Sequence, residues 1–183
     1  MDENAKDFDA YNQAAAQMSS IAAMVAALEC DYDRLEELRE ERADLVAQVS
    51  VTDPATERAL QEWDAVNAEE LHSLAADASC GESAEYACKS QEDARERILE
   101  DALDINLSGT WQPGATPEAD GFTILLCTGG PAVRIKGELD EHNQPDRAWL
   151  EYQDWGTPWT EYHGENADMA TLLTYCQQFY FGE

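Results

Sequence analysis

Basic residues are scarce in this chain: 11 Lys and Arg stand against 39 Asp and Glu in 183 positions, giving a formal net charge of −28. A surface with this balance repels nucleic acid and membrane phosphates and attracts cationic partners. We therefore expect no direct binding to nucleic acid or to a membrane. Adaptation to extreme salt is an alternative origin of the acidity, favoured by the small number of lysines, which are Lys6, Lys89 and Lys136.

Long apolar runs and a basic amino-terminal leader are also missing. No stretch approaches the roughly 18 uninterrupted apolar residues that a membrane span requires, so we expect a cytoplasmic protein. Disorder is excluded because 44% of the residues are hydrophobic and 9% are aromatic, which is enough for a core. The cysteines form an odd, scattered set without paired spacing, which indicates reduced thiols: Cys30, Cys80, Cys88, Cys127 and Cys176.

Glycine and proline, the two strongest helix breakers, do not occur between Asp2 and Thr52. This absence predicts one long helix or two nearly continuous helices. Apolar residues recur there at steps of three and four, which is typical of a coiled-coil seam, and Arg42 falls on the same stripe. The predicted seam comprises Met18, Ile21, Val25, Leu28, Tyr32, Leu35, Leu38, Leu45 and Val49.

A second helix is predicted to begin at Thr52-Asp53-Pro54, since Asp53 can cap exposed amides and Pro54 suits a first turn. The short connection implies that this helix folds back antiparallel on the first one. We expect it to end near Gly81 and to be followed by a further amphipathic helix over residues 83–104 that carries Tyr86, Ile98 and Leu99.

Composition changes after residue 104, where most of the glycines and prolines and four of the five tryptophans occur. We expect short strands at 105–111, 122–128, 132–139 and 147–154, separated by turn residues, and a closing helix from about Asn166. The predicted face of that helix is Met169, Leu172, Leu173, Cys176 and Tyr180. The predicted class is α+β: an acidic, coiled-coil-like antiparallel helical hairpin over residues 1–104, then an antiparallel β-meander capped by a carboxyl-terminal helix over residues 105–183.

The acidic residues are densest in one part of the predicted hairpin. Sixteen positions, about 24 Å of helix, carry eight carboxylates, which approaches the charge density of one DNA strand before neighbouring arginines are counted. Like charges recur every fourth residue and repel one another, so a cationic groove would relieve them. The alternative is an ordinary solvated helix face. The eight are Glu29, Asp31, Asp33, Glu36, Glu37, Glu40, Glu41 and Asp44.

Tryptophans provide a second candidate surface in the β-rich half. Strand alternation sends Trp149, Glu151 and Trp155 to one side and Leu150, Tyr152 and Asp154 to the other, so one aromatic set can stay outside for a partner. Trp159 follows closely in the chain and joins that candidate set.

Catalytic, metal and nucleotide sites find little support in the sequence. A thiol nucleophile could be built from Cys127 beside a Gly-Gly turn, with His142 or His163 as base and Asp154 to orient the base. No established spacing supports this set, and a small buried thiol explains Cys127 better. The intervals between His72, Cys80 and Cys88 match none of the close pairs used by structural zinc sites, and no loop has EF-hand or phosphate-binding spacing. We expect a non-enzyme without a metal or cofactor.

Three segments carry a resemblance: Leu126-Cys-Thr-Gly-Gly-Pro-Ala-Val-Arg-Ile-Lys-Gly-Glu-Leu-Asp140, Glu151-Tyr-Gln-Asp-Trp-Gly-Thr-Pro-Trp-Thr-Glu-Tyr162 and the ending Phe179-Tyr-Phe-Gly-Glu183. They resemble a group of small uncharacterised proteins of bacteriophages and other mobile elements, over about the last eighty residues. The resemblance implies a viral or mobile-element setting in a bacterial cytoplasm and brings no activity with it.

Together these observations predict a DNA-mimic inhibitor that occupies the basic groove of a host DNA-binding or defence protein of the restriction or CRISPR type. The alternative hypothesis is a non-enzymatic interaction or scaffold protein, homodimeric through the 8–50 seam, whose acidity serves solubility or salt tolerance.

Overall fold

The computed structural model describes residues 3–49, 53–110 and 118–182, and of residues 3–8 and Ala84 it describes the backbone alone. The helices are α1 (Glu3–Glu29), α2 (Tyr32–Gln48), α3 (Pro54–Ala78), α4 (Gln91–Asp101) and α5 (Met169–Cys176), and a 3₁₀ turn spans Ala84–Tyr86. The strands are β1 (Asp104–Thr110), β2 (Glu118–Cys127), β3 (Ala132–Leu139), β4 (Pro145–Gln153) and β5 (Thr160–Glu161). The predicted α+β class is confirmed.

The long amino-terminal helix breaks once, between α1 and α2. The Asp31 carboxylate accepts a hydrogen bond from the Arg34 amide at 3.0 Å and so caps α2. The Tyr32 hydroxyl donates to the Ala27 carbonyl at 2.9 Å, which satisfies one of the acceptors left at the end of α1. The interruption therefore arises from side-chain bonds to the backbone, without glycine or proline.

Helices α2 and α3 form the antiparallel hairpin. Three side-chain contacts join the two helices: Arg34 with Glu70, Glu41 with Trp63, and Arg42 with Asp64. In each pair the two residue numbers add up to nearly the same value, as expected when two helices run antiparallel. Leu35 and Leu38 are buried on the inner side of α2. Helix α3 begins as predicted, with Pro54 in its first turn and the Asp53 carboxylate accepting from the Ala55 amide at 3.0 Å. Thr52 lies outside the described residues.

The prediction of a helix over residues 83–104 is wrong for the first third of that range. Only the 3₁₀ turn forms near Tyr86, which is 60% exposed, and α4 begins at Gln91. Two hydrogen bonds mark the true start. The Asp93 amide donates to the Ser90 hydroxyl at 3.2 Å, and the Lys89 amide donates to the Asp93 carboxylate at 3.0 Å. Ile98 is buried as its place on the predicted face requires, whereas Leu99 is 38% exposed.

The strands form one antiparallel sheet in the order β1-β2-β3-β4-β5, so the predicted meander is confirmed. Strand β4 begins at Pro145, two residues before the predicted start, and β5 was not predicted. Trp111, the expected end of the first strand, lies outside the described residues. Alternation is clean in β3 and β4: Val133, Ile135 and Leu150 are buried on the inner side of the sheet.

Helices α1 and α5 contribute to the core of the sheet. Tyr11 of α1 packs its ring 6.0 Å from that of Tyr152 and 5.1 Å from that of Tyr162, measured between centroids. The face predicted for the last helix needs correction. Tyr175 is fully buried, whereas Met169 is 54% exposed and Tyr180, which follows the end of α5, is 78% exposed. The helix begins three residues later than expected because the Asp168 carboxylate caps it by accepting from the Thr171 amide at 2.9 Å.

The chain divides into two compact units that do not follow the predicted boundary at residue 104. One unit contains Met1–Val25 and Arg95–Glu183, and the other contains Ala26–Ala94. The predicted seam is therefore not one continuous coiled coil, because its first residues belong to the sheet unit and Leu35 and Leu38 to the hairpin unit. At its end, Val49 is 41% exposed.

Among the helices in the described ranges, none combines the length and apolar character needed to cross a membrane.

Candidate functional site

Four carboxylates form a row along the outer side of α2. At about 100° per residue, Asp33, Glu36, Glu40 and Asp44 fall within an arc of about 80°, opposite the buried Leu35 and Leu38. We call these four residues the α2 stripe. All four are exposed, and in the described part of the chain none of their carboxylates has a hydrogen bond or an ion pair.

The other four predicted carboxylates have different surroundings. Asp31 caps α2, Glu37 accepts from the Arg34 guanidinium at 3.3 Å, and Glu41 accepts from the Trp63 indole N–H at 2.9 Å. Glu29 is exposed at the last residue of α1. Four of the eight residues therefore lie in one row. Three others make intramolecular hydrogen bonds, and the last, Glu29, lies outside the row.

Two arginines of α2 are held against α3. Arg34 binds Glu70 through two bonds, with Nε 3.0 Å from Oε1 and Nη2 3.1 Å from Oε2. The guanidinium keeps the pKa of the Glu70 carboxyl below its usual range, because the hydrogen bonds favour the charged form. Arg42 binds Asp64 at 2.9 Å. These two positive charges lie on the α3 side of α2 and not within the α2 stripe.

The predicted tryptophans lie on or beside the outer side of the sheet. The Trp149 indole N–H donates to Glu151 at 3.0 Å, and Glu151 forms an ion pair with Arg134 at 2.6 Å. The Arg134 guanidinium lies 4.0 Å from the centroid of the Trp159 ring, in a cation–π contact. Trp149 and Trp159 are thus already engaged and half-buried.

Trp155 differs from the other two tryptophans because 73% of its surface is exposed. Its ring covers Gly130, where an added Cβ would come 1.8 Å from Trp155 Cδ1. A side chain at position 130 would therefore displace the ring from this place. Of the three predicted tryptophans, Trp155 offers the largest accessible aromatic surface in proportion to its size.

The two groups of predicted site residues belong to different compact units. The α2 stripe is part of Ala26–Ala94, and the tryptophans are part of the unit that contains the sheet. Comparison with protein-family models, curated proteins and solved structures finds no match. What each group can do must follow from its own geometry and charge.

The arrangement considered for catalysis is not assembled. Burial raises the pKa of the Cys127 thiol, which makes the thiolate nucleophile less available at neutral pH. His142 lies in the turn between β3 and β4 and His163 follows β5, both exposed. Within the ranges that the structure describes, no hydrogen bond or ion pair joins either histidine to Cys127, and no group of three or more potential ligands is arranged to hold a metal ion.

Sequence reasoning missed the contacts that set the register of the hairpin. Arg42 was placed on the apolar seam, and its partner Asp64 was not foreseen, nor was the bond between Trp63 and Glu41. Residue numbers that add up to nearly the same value across the predicted turn are the signal that could have found all three pairs. The close approach of Cys80 and Cys88 was also missed, because their separation matches no metal-binding motif.

Proposed function

We propose that this chain is a non-enzymatic DNA-mimic inhibitor. It occupies the cationic nucleic-acid groove of a host DNA-binding or defence protein, of the restriction or CRISPR type, in the cytoplasm of a bacterium. The observation that supports the proposal is the α2 stripe, an exposed row of four carboxylates on one side of a helix with a buried leucine spine. The mobile-element setting expected from the last eighty residues is part of the same proposal.

The charge density of the stripe is comparable to that of nucleic acid. From Asp33 to Asp44 the helix rises about 16 Å, and the four carboxylates are about 4.5 to 6 Å apart along the axis. One strand of duplex DNA carries about five phosphates over the same length. A groove that binds one strand through four or five Lys or Arg side chains would find nearly as many partners here.

The hairpin unit adds a wider field to the stripe. Ala26–Ala94 contains 19 acidic and 5 basic residues, a net charge of −14. Arg34 and Arg42 are occupied by Glu70 and Asp64 on the α3 side, and Arg39 borders the stripe. Such a field accelerates encounter with a cationic groove and makes affinity fall as salt rises.

The sheet unit supplies the contact that charge alone does not. Exposed ion pairs contribute little to residence time, whereas aromatic anchors that become buried contribute much. Trp155 is suited to that role because its ring is largely exposed and lies over Gly130. The proposal therefore assigns fast association to the α2 stripe, and it names Trp155, on the other compact unit, as a separate hydrophobic contact surface.

A pair of variants with equal charge tests the proposal. The first replaces the α2 stripe with amides: Asp33→Asn, Glu36→Gln, Glu40→Gln and Asp44→Asn. The control replaces four exposed acids elsewhere in the hairpin unit: Glu62→Gln, Glu69→Gln, Glu82→Gln and Glu85→Gln. Both lose four negative charges, so a difference between them reports position and not net charge.

Each protein is immobilised, exposed to bacterial lysate at two ionic strengths, and then washed with a short DNA duplex. We expect the wild type and the control to retain a nucleic-acid-binding protein that the duplex displaces at low salt, and the stripe variant to lose it. Circular dichroism establishes that the hairpin of each variant is folded. Equal loss in both variants, or failure of the duplex to displace the captured protein, would refute mimicry.

The alternative proposal is an interaction or scaffold protein whose acidity serves solubility or salt tolerance, and it predicts other results. Folding that collapses below molar salt would favour adaptation to salt. A stable dimer in sedimentation, with capture unaffected by either set of substitutions, would favour a scaffold.

A further inference from the structure

Two cysteine sulfurs lie close together just after α3. The Sγ atoms of Cys80 and Cys88 are 3.2 Å apart, a hydrogen-bonding distance, although the residues are eight positions apart in the chain. Cys80 is 8% exposed and Cys88 is 6% exposed. The sulfurs are therefore sheltered but lie beneath a surface turn, whose residues Glu82, Ser83 and Glu85 are exposed.

The backbone brings the two thiols together. Helix α3 ends at Ala78, and the chain then reverses through Cys80 with φ 53° and Gly81 with φ 76°. The returning segment is fixed by a hydrogen bond from the Cys88 amide to the Ala78 carbonyl at 2.8 Å. This bond holds Cys88 beside the end of α3, so the approach of the sulfurs follows from the path of the main chain.

We propose that Cys80 and Cys88 are a redox modification site, where a small-molecule disulfide of the glutathione type converts the two thiols into an intramolecular disulfide. The inference goes beyond the proposed function and does not depend on it. An S–S bond of about 2.05 Å requires the sulfurs to approach by about 1.2 Å. Side-chain rotation and small shifts in the exposed turn can supply that movement.

The reaction balances as two successive exchanges. One cysteine loses its proton, and its thiolate attacks a sulfur of the small-molecule disulfide, forming a mixed disulfide and expelling the first small thiolate. The second cysteine, also deprotonated, attacks the protein sulfur of that mixed disulfide and expels the second small thiolate. The protein loses two protons and two electrons, and the small molecule leaves as two thiols.

Cys30 belongs to the same unit and serves as the natural comparison. Its thiol donates to the Leu74 carbonyl at 3.5 Å, and burial raises its pKa, so its thiolate is less available. The proposal therefore predicts a bond between Cys80 and Cys88 specifically, with Cys30 remaining reduced. The bond would close the turn onto the end of α3 and slow hydrogen exchange of the amides between the two cysteines.

Peptide mapping tests the proposal on the full-length protein. The reduced protein is incubated with oxidised glutathione, quenched in acid, alkylated and cleaved with a glutamate-specific protease. Cleavage after Glu82 and Glu85 places Cys80 and Cys88 in separate peptides, so only a disulfide can hold them together. We expect this linked pair in the wild type, with intact mass lower by two hydrogen atoms.

Three variants make the test specific. Cys80→Ser and Cys88→Ser should each lose the linked pair and retain a glutathione adduct on the remaining cysteine, whereas Cys30→Ser should form the pair normally. The wild-type map decides the question even where a variant folds poorly. The proposal is overturned if Cys127 reacts while Cys80 and Cys88 either stay reduced or carry only glutathione. It is also overturned if Cys30 is linked to Cys80 or to Cys88.

Discussion

Replacing Leu38 with alanine is expected to open the hairpin unit without unfolding the sheet unit. Leu38 is fully buried in α2, and the neighbouring core is small, built around Cys30, Leu35 and Ala78. Truncating such a leucine costs about 2 to 5 kcal/mol in free energy of unfolding, through lost burial and the cavity left behind. A unit of about 70 residues has a stability of about 3 to 10 kcal/mol, so the loss is a large fraction of the total.

Native-state hydrogen exchange measures this effect amide by amide. We expect protection in α2 and α3 to fall by the full cost of the substitution, while the strands β2, β3 and β4 keep theirs. Val46→Ala is the control, because Val46 is on the same helix but 48% exposed, and its effect should stay within about 0.5 kcal/mol. A loss below about 1 kcal/mol in Leu38→Ala, or equal losses in strands and helices, would refute the reasoning.

Two further substitutions test the sheet unit. Burial raises the pKa of Asp101, while the hydrogen bond from the Tyr175 hydroxyl at 2.7 Å partly opposes this. A carboxyl with a raised folded-state pKa favours the fold while protonated and loses that contribution as pH rises through the folded pKa. The asparagine of Asp101→Asn is neutral at every pH. The variant should therefore gain stability relative to the wild type as pH rises from below 3.8 towards neutral, as measured by urea titrations. A loss of stability relative to the wild type over the same pH range would contradict this. Gly137→Ala should lower the melting temperature, because the added Cβ would lie 2.2 Å from Phe122 Cζ and 2.5 Å from the Arg147 carbonyl oxygen. We expect a cost of about 1 to 3 kcal/mol in free energy of unfolding. An unchanged melting temperature would show that the strands can separate there without strain.

The β-meander was predictable because its signals are local. Alternation of period two and turn residues between the runs are both written in the sequence, and β2, β3 and β4 appear within a few residues of the expected bounds. The start of α3 was predictable for the same reason, since Asp53 and Pro54 act on the turn they belong to. Strand β5 has two residues, too few to show any alternation.

The sequence predicts one long helix or two nearly continuous helices, and the second alternative is found; the position of the break is what periodicity did not predict. Asp31 lies in a stretch without glycine or proline, and its capping bond to the Arg34 amide competes with helical continuation. The Tyr32 hydroxyl reinforces the break by bonding back to Ala27, a contact that periodicity does not register. Ser90 and Asp93 form a capping pattern that is visible in the sequence and that marks the start of α4.

The compact units have other bounds than the two predicted domains, and they divide between Val25 and Ala26, inside α1. Apolar residues on either side of Asp31 share one spacing, so the sequence alone assigns them to one seam. In the structure the buried residues before the break, such as Met18 and Ile21, belong to the unit that contains the sheet. Spacing identifies which face of a helix is buried, but it does not identify the element that covers that face.

Net charge is a poor measure of what an acidic protein offers to a partner, and the hairpin shows why. Glu70 and Asp64 are neutralised by Arg34 and Arg42, and these pairs fix the register of the two helices. Among the exposed carboxylates, the four of the α2 stripe differ from the others in being aligned on one side of a single helix, where like charges repel one another. A cationic groove would gain most from that subset, so position along the helix, more than the total of −28, should govern binding.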